Sequence, residues 1–195
     1  MTTYVSIIAP ENTMSTTCLS SMLRLQHARH AGSFTVDISK SIRESIAKAK
    51  TLSNLHRVVL LHESCGVSSD FFTKDHPHPI VCAGYGKSDI DWDRMSSGFP
   101  YETDTECDNA GRVYNFDVST AEPAGAEYVQ TKECESKIIS CSPESLDSLE
   151  VSLDTDTYTL QTPSHIYVPG HTLHNVEFCF VGSFVEKYGF PAQTA

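Results

Sequence analysis

Behind Arg57, the residues Val58-Val59-Leu60-Leu61 form an unbroken apolar run of strand length, with no polar residue at alternate positions. Such a run suits a strand covered on both faces, the usual state of a strand in a parallel sheet packed between helices. Ile80-Val81-Cys82-Ala83 is a second run of this kind, and Val5 to Ala9 reads as a strand that stops at Pro10. Between the first two strands, Ser15 or Thr16 can cap a helix whose apolar face is Cys18, Leu19, Met22, Leu23 and Leu25. Gly32 marks a turn before a short strand, Phe34 to Ile38, and Ile42, Ile46 and Ala49 then fall in helical phase among charged residues. Residues 1–85 thus alternate strand, helix, strand, helix, strand, short helix, strand. That order predicts an α/β fold with a mostly parallel sheet flanked by helices.

The character changes after Gly84. Residues 86–110 are polar and acidic and read as a long surface loop carrying Asp89, Asp91, Asp93, Glu102, Asp104, Glu106 and Asp108. Residues 111–195 read as a β-rich second half of one domain spanning 1–195. Its expected strands are Arg112 to Val118, Glu127 to Thr131, Lys137 to Cys141, Ser152 to Leu160 and His165 to Val168. A short helix is expected from Pro143 to Leu149, capped by Ser142, and a closing helix from His174 to Tyr188, ended by Gly189.

Charge narrows the function. The chain has a formal net charge of −11. Phosphate-backbone and anionic-membrane binding both depend on clustered Lys and Arg, so neither nucleic acid nor a membrane surface is an expected partner. No apolar run approaches the ~20 residues that span a bilayer. The N-terminal residues lack a basic region and a long apolar stretch, so no export signal is expected. Seven cysteines at irregular spacing, with no Cys-x-x-Cys, read as reduced thiols in a cytosolic setting, several of them small core residues.

Val81-Cys82-Ala83-Gly84-Tyr85, followed by Lys87 and Ile90-Asp91-Trp92-Asp93, resembles a string carried by small GT-A-type glycosyltransferase-like proteins of phages and large viruses. The resemblance extends to Val5–Pro10 as first strand, Leu19–Leu25 as first helix, and Val58–Gly66 as the strand leading to the metal site. It also takes in Tyr128–Leu149 and the stretch from His174 to Cys179. It implies a GT-A-like domain, with residues 1–85 as the nucleotide-binding half and 111–195 as the acceptor-side half. A nucleotide sugar would then rest against Pro10, His62, Glu63, Asp91, Trp92 and Asp93, with Asn175 and Glu177 nearest the acceptor.

The departures from that pattern weigh more than the matches. GT-A enzymes end a strand in Asp-x-Asp, whose carboxylates hold Mn²⁺ or Mg²⁺ against the leaving diphosphate. Here the strand ends in His62-Glu63-Ser64, and Glu63 would point to the opposite face unless the strand slips by one residue. The glycine-rich turn of the family is Glu133-Cys134-Glu135-Ser136, and its Glu-Asp pair is His174-Asn175. Metal ligands, close-approach glycines and base are lost together, which removes electrostatic stabilisation and proton transfer at once.

Other chemistry is weaker. His171 with His174, His62 with Cys65, and His76 with His78 offer zinc-compatible ligands, but no pair has a recognised partner spacing. His76-Pro77-His78-Pro79 reads as an extended surface turn. Ser64 and Cys65 lack the flanking glycines of a nucleophile elbow, and Cys65 reads as core. Asp89, Asp91 and Asp93 start like a calcium loop, but Arg94 and Pro100 stand where its glycine and glutamate belong.

The resulting expectation is a degenerate, non-catalytic glycosyltransferase-like protein used for binding or assembly, with no cofactor. Its partners would be proteins, virion components or further copies of itself, in the host cytoplasm or the virion. The alternative is an active transferase with an atypical metal site or none, in which Glu63, Asn175 and Glu177 are the candidate catalytic residues.

Overall fold

The computed structural model describes residues 2–27, 33–67, 71–72, 74–84, 86–90, 92–97, 100, 112–117, 120–125, 127–132, 134–149, 151–153, 158–160, 164–167 and 180–181. Through β3 the first half follows the expected alternation: β1 (Thr2–Ile8), α1 (Thr16–His27), β2 (Ser33–Ser39), α2 (Ile42–Thr51) and β3 (Leu55–His62); then come β4 (Gly66–Val67), a strand not expected from the sequence, and β5 (Ile80–Ala83), with Phe71 and Phe72 helical between them. Ser15 caps α1, its hydroxyl accepting from the Cys18 N–H at 3.1 Å. Ser41 caps α2 in the same way, accepting from the Glu44 N–H at 3.2 Å.

The second half is built from short pieces: β6 (Gly86–Ile90), α3 (Trp92–Ser97), β7 (Arg112–Tyr114), β8 (Glu122–Pro123), β9 (Tyr128–Thr131), β10 (Cys134–Ser136) and β11 (Ile138–Cys141). A 3-10 helix (Pro143–Ser148), β12 (Val151–Leu153), β13 (Tyr158–Leu160), β14 (Ser164–Tyr167) and β15 (Phe180–Val181) follow.

One eight-stranded sheet organises the chain in the order β2-β1-β3-β11-β5-β14-β9-β8. β1 is parallel to both β2 and β3, and β14 is parallel to β5. β11 runs antiparallel to both β3 and β5, so those two point the same way. β2, β1, β3, β5 and β14 therefore share one direction, which makes the sheet mostly parallel within a mixed α/β architecture. β11 is the unexpected member: a strand from the second half wedged into the first.

Both faces of the central strands are covered, as the apolar runs require. Tyr4, Ile8, Val58 and Leu60 pack into one core with Ile42 and Ala49 of α2, while Val5, Ile7, Val59 and Leu61 pack into another with Cys18 and Leu25 of α1. Ser6 is fully buried between them and is satisfied by the hydroxyls of Ser45 at 2.8 Å and Ser39 at 3.2 Å.

Several expectations are corrected. Residues 86–110 are not one irregular loop, because β6 and α3 lie within them and β6 pairs with β7; residues 101–110 lie outside the described ones. Cys134–Ser136 is a strand paired with β13, where a turn was expected, because Cys134 and Ser136 are buried and only Glu135 between them is half exposed. Ser152 to Leu160 is two strands, β12 and β13, paired antiparallel. The short helix expected after Ser142 is present, as a 3-10 helix. Phe180–Val181 is a strand paired with Gly66–Val67, so His174 to Tyr188 is not one continuous helix; the rest of that stretch lies outside the described residues.

Candidate functional site at the carboxyl ends of β1 and β3

From β1 the chain crosses to β2 on one side and later returns to β3 on the other. The gap between the carboxyl ends of β1 and β3 is thus a topological switch point, where open α/β sheets bind ligands. β1 ends at Ile8 opposite His62, the last residue of β3. Pro10 is exposed in the turn beyond Ala9, and Asn12 takes a left-handed conformation with φ 57°, which asparagine tolerates better than most residues.

Glu63 closes this gap. Its N–H donates to the Ile8 carbonyl at 3.0 Å, its carbonyl accepts from the Ser15 N–H at 3.1 Å, and its Oε2 accepts from the Thr13 hydroxyl at 3.2 Å. The residue has left the strand and lies in a turn, so neither the opposite-face nor the slipped-strand expectation describes it.

His62 and Ser64 fold onto each other. The Ser64 N–H donates to His62 Nδ1 at 3.2 Å, and Ser64 Oγ lies 2.8 Å from the same nitrogen. Nδ1 is therefore the acceptor, the Ser64 hydroxyl donates to it, and the ring proton belongs on Nε2. Lys137, beside β11, donates its Nζ to Ser64 Oγ at 3.4 Å, and its carbonyl accepts from the His62 N–H at 2.9 Å. No described carboxylate forms an ion pair with Lys137.

The polar side chains at the switch point are therefore one carboxylate, one imidazole, two hydroxyls and one ammonium. A hard divalent ion wants several oxygen ligands together. Among the described residues no group of three or more His, Cys, Asp or Glu can hold a metal, and the Glu63 carboxylate is already engaged by Thr13. The described residues do not fit Mn²⁺ or Mg²⁺.

The Cys18 thiol behind this turn is held in its neutral, weakly nucleophilic form. Burial, and secondarily the Glu63 carboxylate, push the Cys18 thiol up to about 12. Cys18, Cys65, Cys82, Cys134 and Cys141 are all buried, while Cys107 and Cys179 lie outside the described residues.

The chain matches no protein-family model, no curated protein and no solved structure.

Of the sequence candidates, Pro10, His62 and Glu63 come together at the strand ends. Trp92 and Asp93 open α3, and Trp92 is 66 % exposed. Asp91, Asn175 and Glu177 lie outside the described residues, as do His171 and His174. Lys137 and Thr13 are the functional groups that the sequence pattern did not bring to the site. Lys137 arrives only because β11 pairs with β3, and no local signal announces that pairing.

A second polar centre lies beyond the other end of β3. His76 is buried rather than in a surface turn: its Nε2–H donates to the Phe71 carbonyl at 2.9 Å, which leaves Nδ1 to accept from the Tyr128 hydroxyl at 2.9 Å. His78 stacks on His165 with ring centroids 3.5 Å apart. Burial lowers the pKa of all three imidazoles, taking His76 to about 4.

Proposed function

We propose that this chain is a GT-A-like α/β protein that has given up sugar transfer and serves as a binding or assembly protein, as a virion component made in the host cytoplasm. The observation that carries this reading is the end of β3. Where the resembling enzymes present metal-holding carboxylates, His62 is tied to Ser64, and Glu63 is tied through backbone and side chain to β1 and the loop before α1. The two backbone bonds fix the turn, and the one carboxylate it carries accepts from Thr13 with no second described carboxylate beside it, too few oxygen ligands for a hard divalent ion. The mostly parallel sheet with its switch point at this spot supports the GT-A likeness. No helix among the described residues is long and apolar enough to cross a membrane.

A second reading is favoured by Lys137. A half-exposed ammonium facing the switch point can offset the charge of a leaving diphosphate without a metal. The readings are separated by a panel of nucleotide sugars, with and without Mn²⁺, followed by thermal stability and by release of nucleoside diphosphate. A saturating ligand at 100-fold its dissociation constant stabilises by about 2.7 kcal/mol. The assembly reading expects a flat panel and no release. Turnover that disappears in Lys137→Met would establish the transferase instead.

A further inference from the structure

We infer that β2 is a homodimer edge, pairing antiparallel with β2 of a second copy about a two-fold axis at Val36. The inference deepens the assembly reading and rests on it.

β2 closes one side of the eight-stranded sheet, and among the described residues only β1 pairs with it. Natural sheets guard such edges with proline, lysine, bulges or short length. This edge is seven residues long, Ser33-Phe34-Thr35-Val36-Asp37-Ile38-Ser39, with neither proline nor lysine. Its one charge, Asp37, is bound by Lys48 of α2 at 2.8 Å.

The Ser39 carbonyl accepts from the Ala9 N–H, so Ser39 directs its backbone groups toward β1. By alternation, Phe34, Val36 and Ile38 direct theirs to the open edge. Antiparallel pairing centred on Val36 sets Val36 opposite Val36 of the second copy and Phe34 opposite Ile38. Each such pair exchanges two N–H···O bonds.

The side chains obey the same symmetry, because the segment is a palindrome in polarity. Ser33 meets Ser39, Phe34 meets Ile38, Thr35 meets Asp37 and Val36 meets itself. On the α1 face the pairs are all apolar. On the α2 face no carboxylate lies directly opposite another, and each Asp37 keeps its Lys48. Self-complementarity of this kind is the mark of an isologous interface.

The apolar surface extends onto α1. Thr17 and Ser21 face Gly66 of β4, four residues past the end of β3. At 100° per residue, Leu19 and Leu23 therefore fall on the opposite flank, toward β2. Leu19 and Leu23 are 51 % and 49 % exposed, and Val36 and Ile38 are 50 % and 51 % exposed. These four are most of the large apolar side chains left open among the described residues. The dimer would cover them with their symmetry mates.

The test is sedimentation of the full chain from micromolar to submillimolar concentration, with amide exchange of Phe34, Val36 and Ile38. A dimer is expected, with those three amides more protected at high concentration. Val36→Pro removes an outward N–H and none of the bonds to β1, so it should weaken dimerisation roughly tenfold or more while the thermal melt persists. Ile38→Lys serves the same purpose should the proline variant fail to fold. Thr35→Lys places an ammonium opposite the second copy's Asp37 and should tighten the dimer, an outcome that nonspecific association would not give. A monomer throughout, or a dimer indifferent to Val36→Pro and Ile38→Lys, overturns the inference. Sedimentation is independent of the turnover assay, so loss of the dimer leaves the reading of the β3 end untouched.

Discussion

Arg57 enters the core, 8 % exposed, with no described carboxylate at ion-pair distance. Its guanidinium is held by neutral oxygens instead: Ser140 Oγ at 2.8 Å, the His78 carbonyl at 2.8 Å and the His76 carbonyl at 3.2 Å. Burial lowers its pKa. Arg57→Leu strands those acceptors in a dry site, and a loss of roughly 2–4 kcal/mol in urea unfolding is expected. The same guanidinium, behind the larger effect of burial, disfavours a charge on His76. Here the folded pKa, about 4, lies below the ordinary 6.5, so the unfolded chain binds more protons between these values. Stability should therefore fall as pH drops from about 6.5 toward 4, by an amount on the order of 3 kcal/mol. His78 and His165 shift in the same direction and steepen the loss. Urea titrations from pH 7 to pH 4.5 check the slope. His76→Gln, which can still donate to Phe71 and accept from Tyr128, should flatten it; an unchanged slope would move the cause elsewhere.

At the scale of elements, the sequence spoke clearly wherever a pattern was local. β1, α1, β2, α2, β3 and β5 were legible because Val5–Ala9, Val58–Leu61 and Ile80–Ala83 are apolar runs and the helices carry a 3.6-residue period. The Ser41 cap was not read from the sequence, and Ser41→Ala should cost about 1 kcal/mol by removing it from α2, readable as a shift of the urea midpoint with unchanged slope. What else stayed hidden is non-local. Ile138–Cys141 reads as a strand, yet nothing in it says that it will insert between β3 and β5, and that insertion is what carries Lys137 to the crevice. The end of β3 was legible as a site by its place on the strand. The turn that takes Glu63 to Thr13 was not, because it depends on β4 packing against α1. Gly66 makes that packing possible: a Cβ there would lie 2.5 Å from Thr17 Cγ2 and 2.8 Å from the Thr17 carbonyl oxygen. Gly66→Ala must push α1 away from β4, and a loss of about 1–3 kcal/mol is expected, with the larger change in exchange rates falling in the first turns of α1.

Across the whole molecule, two electrostatic effects compete. A formal net charge of −11 on 195 residues makes the folded state repel itself. Against this stand ion pairs such as Lys48–Asp37, Lys50–Asp147 and Lys74–Glu127. Lys50 and Asp147 are 45 % and 85 % exposed, and Lys48 and Asp37 are 42 % and 35 % exposed. Pairs this open contribute about 0–1 kcal/mol each and are weakened by salt. Salt therefore removes a small favourable effect and a larger unfavourable one, because the repulsion sums over the whole surface while the attractions are few. The unfolding temperature should rise as sodium chloride goes from about 10 mM to about 150 mM, as the screening length shortens from roughly 30 Å to roughly 8 Å. Most of the gain should come in that interval, since the repelling charges lie farther apart than the paired ones and are screened first. The β2 dimer should tighten over the same range, because two acidic copies must approach each other. Differential scanning calorimetry at fixed protein concentration measures the first effect, and sedimentation at the same salts measures the second. A falling unfolding temperature would mean that the few exposed pairs outweigh the repulsion of the surplus carboxylates.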